Sequence, residues 1–400
     1  MIKQRQDFDR SDLMGGGDRV SLGSTETKIL HITQNLIRFQ STVDQLSQLE
    51  AIVDYVADLF LEGQYFVKKL SFNNVPSILI TTHDGKRPDI LFNGHLDVVA
   101  GYPHQFIPDV KDGYLYGRGS VDMKLFDAIA IQAMIDLHES QPELSLGCYF
   151  SCDEEVGGVN GAKEFVEAGY SSGVLINGDA GVDYALVTGS KGILRFTMTA
   201  ETTPGRPAYP WEGINAAQQL LDGFNEIQNR FPKHELANAS DNWHTTFSIS
   251  NLKTEQHPSG LPFKAQMTLG INFIDDLSYD ELFSKLKKLV PNLVLEQINV
   301  AERLEVDDQH EVYERFLDLA EQNFDRKFQV KKDNGSSDAK FFKDAMEHII
   351  IVKMPGIGAH EPDERARVDG IMPMYNTLVE FCLVEHKKKK ESLEKVGELV

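Results

Sequence analysis

Residues 89–99, DILFNGHLDVV, constrain this chain more than any other stretch. Ile90, Leu91 and Phe92 read as a buried strand, and Val98 and Val99 are as apolar. Between them stand Asn93, Gly94, His95 and Asp97. Polar side chains set into core-grade sequence have to find partners, because a buried polar group without one costs free energy. Other short apolar runs, SILITT, SLGCYFS, GVLING and HIIIVKM, alternate with helical patterns, among them residues 124–139 and 159–168. That alternation predicts an α/β fold with a mostly parallel sheet covered by helices on both faces. In such a sheet, ligands sit at the carboxyl ends of the strands.

The middle of the chain has a different rhythm. Leu194, Phe196, Met198 and Ala200 alternate with polar residues as a half-buried strand does. A helix carrying Ile214, Ala217, Leu221 and Phe224 follows, then a strand at TTFSIS. Phe263, Ala265, Met267, Leu269, Ile271 and Phe273 share one face of the next strand. Ser278 and Glu281 form a capping box that opens another helix, and NLVLEQINV closes the segment as a strand. The order β-α-β-β-α-β is that of a ferredoxin-like unit. Residues 188–304 are therefore expected as a small domain inserted between two parts of a larger one, 28–187 and 305–400. Helical periodicity fills residues 28–60, and residues 1–27 read as a flexible tail without the apolar stretch of a signal peptide. The lysines at 387–390 read as the solvated face of a terminal helix.

At 400 residues the chain exceeds one ordinary core. A formal net charge of −21 argues against a surface built to neutralise phosphates, so no nucleic-acid partner is expected. No apolar run reaches membrane-spanning length, so no membrane is expected either. Cys148, Cys152 and Cys382 are an odd and sparse set; buried free thiols in a reducing cytoplasm fit them best.

Titratable residues gather where the strands end. His95 and Asp97 follow ILF, Asp122 lies in GRGSVDMK, Glu154 and Glu155 in SCDEEVGG, Asp179 after VLING, and His360 in GIGAHEPDE. Each alone has an ordinary explanation: a hydrogen-bonded loop histidine, a solvated acidic turn, or for Asp122 a helix cap. Delivered by separate parallel strands to one edge, the carboxylates would repel unless cations sat among them. Nitrogen and oxygen donors without thiolate suit zinc, manganese or cobalt.

The motifs GHLDVV, GRGSVDMK, DEEVGG, NGDAG and GAHEPDE, in this order, resemble the co-catalytic zinc peptidases and deacylases over roughly residues 28–385. That family includes carboxypeptidase G, acetylornithine deacetylase, succinyl-diaminopimelate desuccinylase, aminoacylase and several dipeptidases. The resemblance implies two divalent ions, most simply Zn2+ with Co2+ or Mn2+ as substitutes. It assigns His95 and Asp179 to one ion, Glu155 and His360 to the other, and Asp122 as the bridge between them. Asp97 would orient the His95 ring, Glu154 would be the general base, and the Asp122–Met123 peptide would be cis. The inserted domain resembles the family's lid, which often carries a homodimer contact. Here the sequence departs from its relatives: Arg206 stands where a lid histidine is usual, Ser259 in SGLP where an asparagine is, and Asn272 where an arginine meets a substrate carboxylate. NGSSDAKFF resembles the substrate loop and offers Ser336 and Ser337. The implied activity is amide hydrolysis of small peptides without a covalent intermediate, with N-acyl amino acids as the alternative substrates. A non-catalytic binding protein of the same fold would be expected to lack a ligand or the base, and neither is missing.

Overall fold

In a computed structural model of the protein, residues 24–230, 243–258 and 260–397 are described. Most of the expected tail, residues 1–23, and Ser259 lie outside the described residues. Helix α1 (Thr25–Arg38) begins inside the stretch read as tail, because the Ser24 hydroxyl accepts the Thr27 N–H at 3.3 Å and caps it. Helix α2 (Leu46–Asp58) and the hairpin β1 (Phe66–Phe72) and β2 (Val75–Thr81) lead to β3 (Ile90–His95). Then come β4 (Asp109–Lys111), β5 (Tyr114–Tyr116), α3 (Leu125–Ser140), β6 (Leu146–Ser151), α4 (Glu164–Glu167), β7 (Ser172–Asn177) and β8 (Ala185–Ser190). The inserted unit runs β9 (Gly192–Glu201), α5 (Ala216–Asn229), β10 (Thr246–Gln256), β11 (Pro262–Phe273), α6 (Tyr279–Leu289) and β12 (Val294–Ala301). The chain ends through β13 (Leu304–Glu305), α7 (Glu311–Phe324), β14 (Gln329–Asp333), α8 (Ala339–Phe342), β15 (Met346–Ile351), β16 (Gly356–Ile357), β17 (Arg365–Arg367) and α9 (Ile371–Gly397).

The main sheet has the order β1-β2-β6-β3-β7-β15. Strands β6, β3, β7 and β15 run parallel, and the hairpin β1–β2 adds to them antiparallel at one edge. Every residue of β3 and β6 is buried, which explains why their sequences are near-continuous apolar runs. Ile80, Phe92, Cys148 and Ile176 point into one core with α1, α2, α3, α7 and α9; Leu79, Leu91, Tyr149 and Leu175 point into the other with Phe165 and Phe342. The three cysteines are free and buried. Lysines 387–390 are exposed on α9, and Lys388, Lys389 and Lys390 reach back to Glu311, Asp89 and Glu143.

The inserted unit is a four-stranded antiparallel sheet, β10-β11-β9-β12, with α5 and α6 packed on one face. The Ser278–Glu281 capping box opens α6 as the sequence predicts. Helix α5 departs from expectation: Asn215 caps it and starts it at Ala216, so Ala216, Leu220, Gly223 and Ile227 are buried. Ile214 precedes the helix, and both it and Leu221 are exposed. Two small sheets complete the fold, β13-β8-β14 and β16-β17-β5-β4. Among the described residues, no helix is long and apolar enough to cross a membrane.

Candidate metal centre

Three strands of the main sheet deliver side chains to its carboxyl edge. His95 is the last residue of β3, Glu154 and Glu155 lie in the turn after β6, and Asp179 follows β7 by two residues. Asp122 and His360 arrive differently from the expected parallel strands: Asp122 sits in the turn Ser120–Lys124 after β5, and His360 follows β16. Both follow strands of the small antiparallel sheet, in which β5 and β16 each pair with β17.

Asp122 stands between the two imidazoles. Its Oδ1 lies 3.2 Å from His95 Nε2 and its Oδ2 lies 3.1 Å from His360 Nε2. His360 Nε2 is also 3.0 Å from Glu155 Oε2. Donor atoms of His95, Glu154 and Asp179 lie within 4.8 Å of one another, as do those of His95, Asp122 and Glu155. The Asp122–Met123 peptide is cis. Asp97 touches His95 mainly through its backbone, its carbonyl oxygen being 3.0 Å from Nδ1 and its carboxylate 3.5 Å. The same carboxylate accepts the Glu154 and Glu155 N–H groups at 3.3 and 3.0 Å, tying the acidic turn to the His95 strand.

The electrostatics are those of acids crowded upon acids. Burial, then Asp122, pushes the Asp179 carboxyl up to about 8. Burial, then Asp179, pushes Glu154 well above the usual carboxylate range. Burial would raise Asp122 as well, but hydrogen bonds to His360 and His95 outweigh it and hold the carboxyl well below its ordinary value. Asp122 and Glu155 in turn raise His360 to about 10. Protons are here standing in for cations. The donor set (imidazole and carboxylate, no thiolate, shared around one carboxylate) fits divalent zinc, cobalt or manganese.

Several supports were not singled out in the sequence. Asn177 Nδ2 donates to Asn93 Oδ1 at 2.8 Å, Asn93 donates to the Tyr149 carbonyl, and Asn177 Oδ1 accepts the Asp179 N–H at 3.0 Å. These amides carry the site's position across β6, β3 and β7. Glu364 accepts the N–H groups of Gly119, Val121 and Asp122 at 3.0, 3.1 and 3.2 Å, and Arg118 donates to it at 2.6 Å. Arg118 also donates to the His360 carbonyl at 3.2 Å, so one buried pair fixes the loops of both Asp122 and His360. Both residues lie inside quoted motifs, but 246 positions apart, where no local pattern links them.

Gly94 is explained from below: a Cβ there would stand 1.9 Å from Asp127 Oδ1. Gly158, at φ +69°, leaves room for Asp338, whose Oδ1 would lie 1.9 Å from a Cβ. Asp338 accepts the Ser151 hydroxyl at 2.8 Å and so docks the loop of Ser336 and Ser337 beside the acidic turn.

The expected substrate contacts separate. Ser336 and Ser337 line a cavity of about 250 Å3 together with Asp122, Asp179 and His360. Arg206 is exposed, held by Glu212 in a double hydrogen bond at 3.0 and 2.9 Å and stacked over Tyr209. Asn272 sits in β11 opposite Thr246 and Ile193.

An edge of clustered imidazoles and carboxylates on a mostly parallel sheet, with an inserted antiparallel unit, is the architecture of a metallohydrolase. The family model for peptidase family M20/M25/M40 matches residues 91–383, and the chain belongs to that family. It is 22% identical over 391 residues to succinyl-diaminopimelate desuccinylase of Rickettsia bellii, spanning 88% of this chain and 96% of the relative. Among solved structures, an M20 family metallo-carboxypeptidase from Sulfolobus solfataricus superposes with a TM-score of 0.73 at 14% identity, over 89% of this chain and 98% of that one. Human carnosine dipeptidase 1 superposes with a TM-score of 0.68 at 14% identity, over 90% and 96%.

Proposed function

We propose that the protein hydrolyses the amide bond of small peptides at a two-cation centre. His95 and Asp179 would hold one cation, Glu155 and His360 the other, and Asp122 would serve both. Bound there, the cations supply Lewis acidity to the scissile carbonyl and its attacking water. Glu154, beside these ligands and not one of them, takes the proton of that water and passes it to the leaving amine. Asp97 holds the His95 ring and the Glu154 turn in register. Ser336 and Ser337 face the substrate; Arg206 and Asn272 would reach it only if the inserted unit, residues 188–304, closes over the edge between the two catalytic parts. The observation that carries the reading is Asp122 standing between two imidazoles in a cluster of otherwise unbalanced acids. The cavity of about 250 Å3 is below the roughly 300–1,000 Å3 of ordinary ligand pockets, which favours a small substrate.

The desuccinylase relative, matched over 88% of the chain, favours a second reading, deacylation of N-acyl amino acids by the same residues. A panel of dipeptides, tripeptides and N-acyl amino acids offered to the zinc-, cobalt- or manganese-loaded protein separates the two. Cleavage of free-amino peptides supports the peptidase, and cleavage confined to acylated amino acids supports the deacylase. Silence with both metals bound would leave a binding protein. The free buried thiols suit a reducing cytoplasm. Strand β10 is a long exposed edge bearing Ile249 and Leu252, and we assign it the contact of a homodimer, to be read by sedimentation of the full chain.

A further inference from the structure

Behind the acidic turn, four buried polar atoms have no hydrogen-bond partner: Ser77 Oγ on β2, the Tyr149 hydroxyl on β6, Asp153 Oδ1 and Asp338 Oδ1. All four residues are at most 2% exposed. Leu79 is the cross-strand partner of Tyr149, so Ser77, two residues back on β2, shares the face that carries the tyrosine. The Tyr149 ring stacks on Phe165 with centroids 3.8 Å apart and meets Phe342, four residues past Asp338, edge-on. Burial, then the charges of Asp338 and Asp153, push its hydroxyl well above the usual tyrosine range. The two carboxylates lie against one short stretch of chain. A Cβ at Gly158 would stand 1.9 Å from Asp338 Oδ1, and one at Gly161 would stand 2.3 Å from Asp153 Oδ1. Their other oxygens are committed: Asp338 Oδ2 accepts the Ser151 hydroxyl at 2.8 Å, and Asp153 Oδ2 accepts the Asn160 N–H at 2.7 Å. Each carboxylate thus keeps one bare oxygen, and two bare hydroxyls share their surroundings.

The charges there do not balance. Burial pushes the Asp338 carboxyl up, and Lys340 is the cation that pulls it back most. Yet among the described residues the Lys340 ammonium makes no ion pair with either acid; it lies over the Phe341 ring, 4.8 Å from the centroid. Two carboxylates against one ammonium leave one positive charge short, and a buried charge without a partner is costly. We propose that a monovalent cation, sodium or potassium, sits between Asp153 Oδ1 and Asp338 Oδ1, with the Ser77 and Tyr149 hydroxyl oxygens completing its ligands. An all-oxygen set suits a hard cation and gives the ions of the carboxyl edge neither imidazole nor thiolate. A buried water would bond the same atoms but would leave the charge uncompensated. The ion has a mechanical consequence. Asp153 precedes Glu154 and Glu155, and Asp338 follows Ser336 and Ser337, so one cation ties the acidic turn to the loop that lines the cavity.

The test is the thermal midpoint of the zinc-loaded full chain in sodium, potassium and choline chloride at equal ionic strength, choline being too large for the site. An ion that binds only the folded chain raises the midpoint, here by roughly 2–4 °C in sodium or potassium over choline. In Asp338→Asn, which removes one of the two charges, that difference disappears. In Tyr149→Phe and Ser77→Ala, which keep the packing and lose one hydroxyl each, it falls to about half or less. Should Asp338→Asn fail to fold, the two hydroxyl variants decide. The readout needs no turnover, so it stands or falls apart from the hydrolase reading. Equal midpoints in the three salts would mean that water or a shared proton fills the gap, and would overturn the proposal. A sodium or potassium effect undiminished in the variants would place the ion elsewhere and overturn it too.

Discussion

The two edges of the main sheet each carry a polar cavity, and they differ in how charge is matched. At the amino edge a cavity of about 410 Å3 is lined by Arg87, Asp89, Glu347, Glu385 and Lys389, with His310 stacked on His348. Its charges face opposite charges: Arg87 with Glu347, Lys389 with Asp89, and Glu385 with Arg315. At the carboxyl edge the cavity is smaller, about 250 Å3; Lys353 meets Asp183 and His360 meets Asp122 there, but Asp179 is left with Asp122 as its neighbour and is pushed up by burial and then by it. The larger cavity is thus the poorer candidate. Unmatched buried charge, rather than size or polarity, marks where a structure is built to hold something.

The largest effect that can break this contrast is on turnover. Glu154→Gln is expected to keep both metals and lose about 10²- to 10⁴-fold in kcat. Loss of metal instead would make Glu154 a ligand, as its closeness to His95 and Asp179 allows. Next, Glu364→Ala strips four donors of their acceptor and leaves the buried Arg118 guanidinium without its carboxylate. Breaking a buried pair from one side costs roughly 3–5 kcal/mol. A lowered thermal midpoint and weaker metal retention should appear together, since Arg118 also holds the His360 loop.

The titration behaviour sharpens the contrast. His360 rises from an ordinary 6.5 to about 10 and Asp179 from 3.8 to about 8. Both shifts are upward, so the stability they lend metal-stripped protein is present at low pH and is lost as pH rises through about 8 and then about 10. Metal loading must expel these protons. Metal-binding heats near neutral pH should therefore depend on the ionisation enthalpy of the buffer, and the loaded and stripped proteins should diverge in thermal stability as pH rises. Buffer-independent heats would contradict the site. The smallest effect belongs to the amino edge, where Arg87→Ala breaks an exposed pair. Stability should change by less than about 1 kcal/mol, with kcat unchanged.

Much of the carboxyl edge was legible in the sequence because strands buried on both faces leave no ordinary place for His95 or Asp179. The β-α-β-β-α-β order was legible too, since β9 and β11 alternate so regularly. What escaped depends on long-range pairing. The Arg118–Glu364 pair joins loops 246 positions apart, where no local pattern links them. Asp122 and His360 were expected from parallel strands because periodicity does not reveal that strands of two or three residues, such as β5 and β16, form a separate sheet. Arg206, assigned to the substrate by its place in a motif, folds onto Glu212 within its own loop, a local competition that motif alignment does not weigh.

Metal content after exhaustive dialysis tests the central claim most directly. Elemental analysis of the zinc-loaded protein should find two equivalents per chain in the wild type and at most one in Asp122→Ala, the residue placed between both sets of ligands. Fewer than two in the wild type, or two retained without Asp122, would contradict a bridged pair of cations at the carboxyl edge.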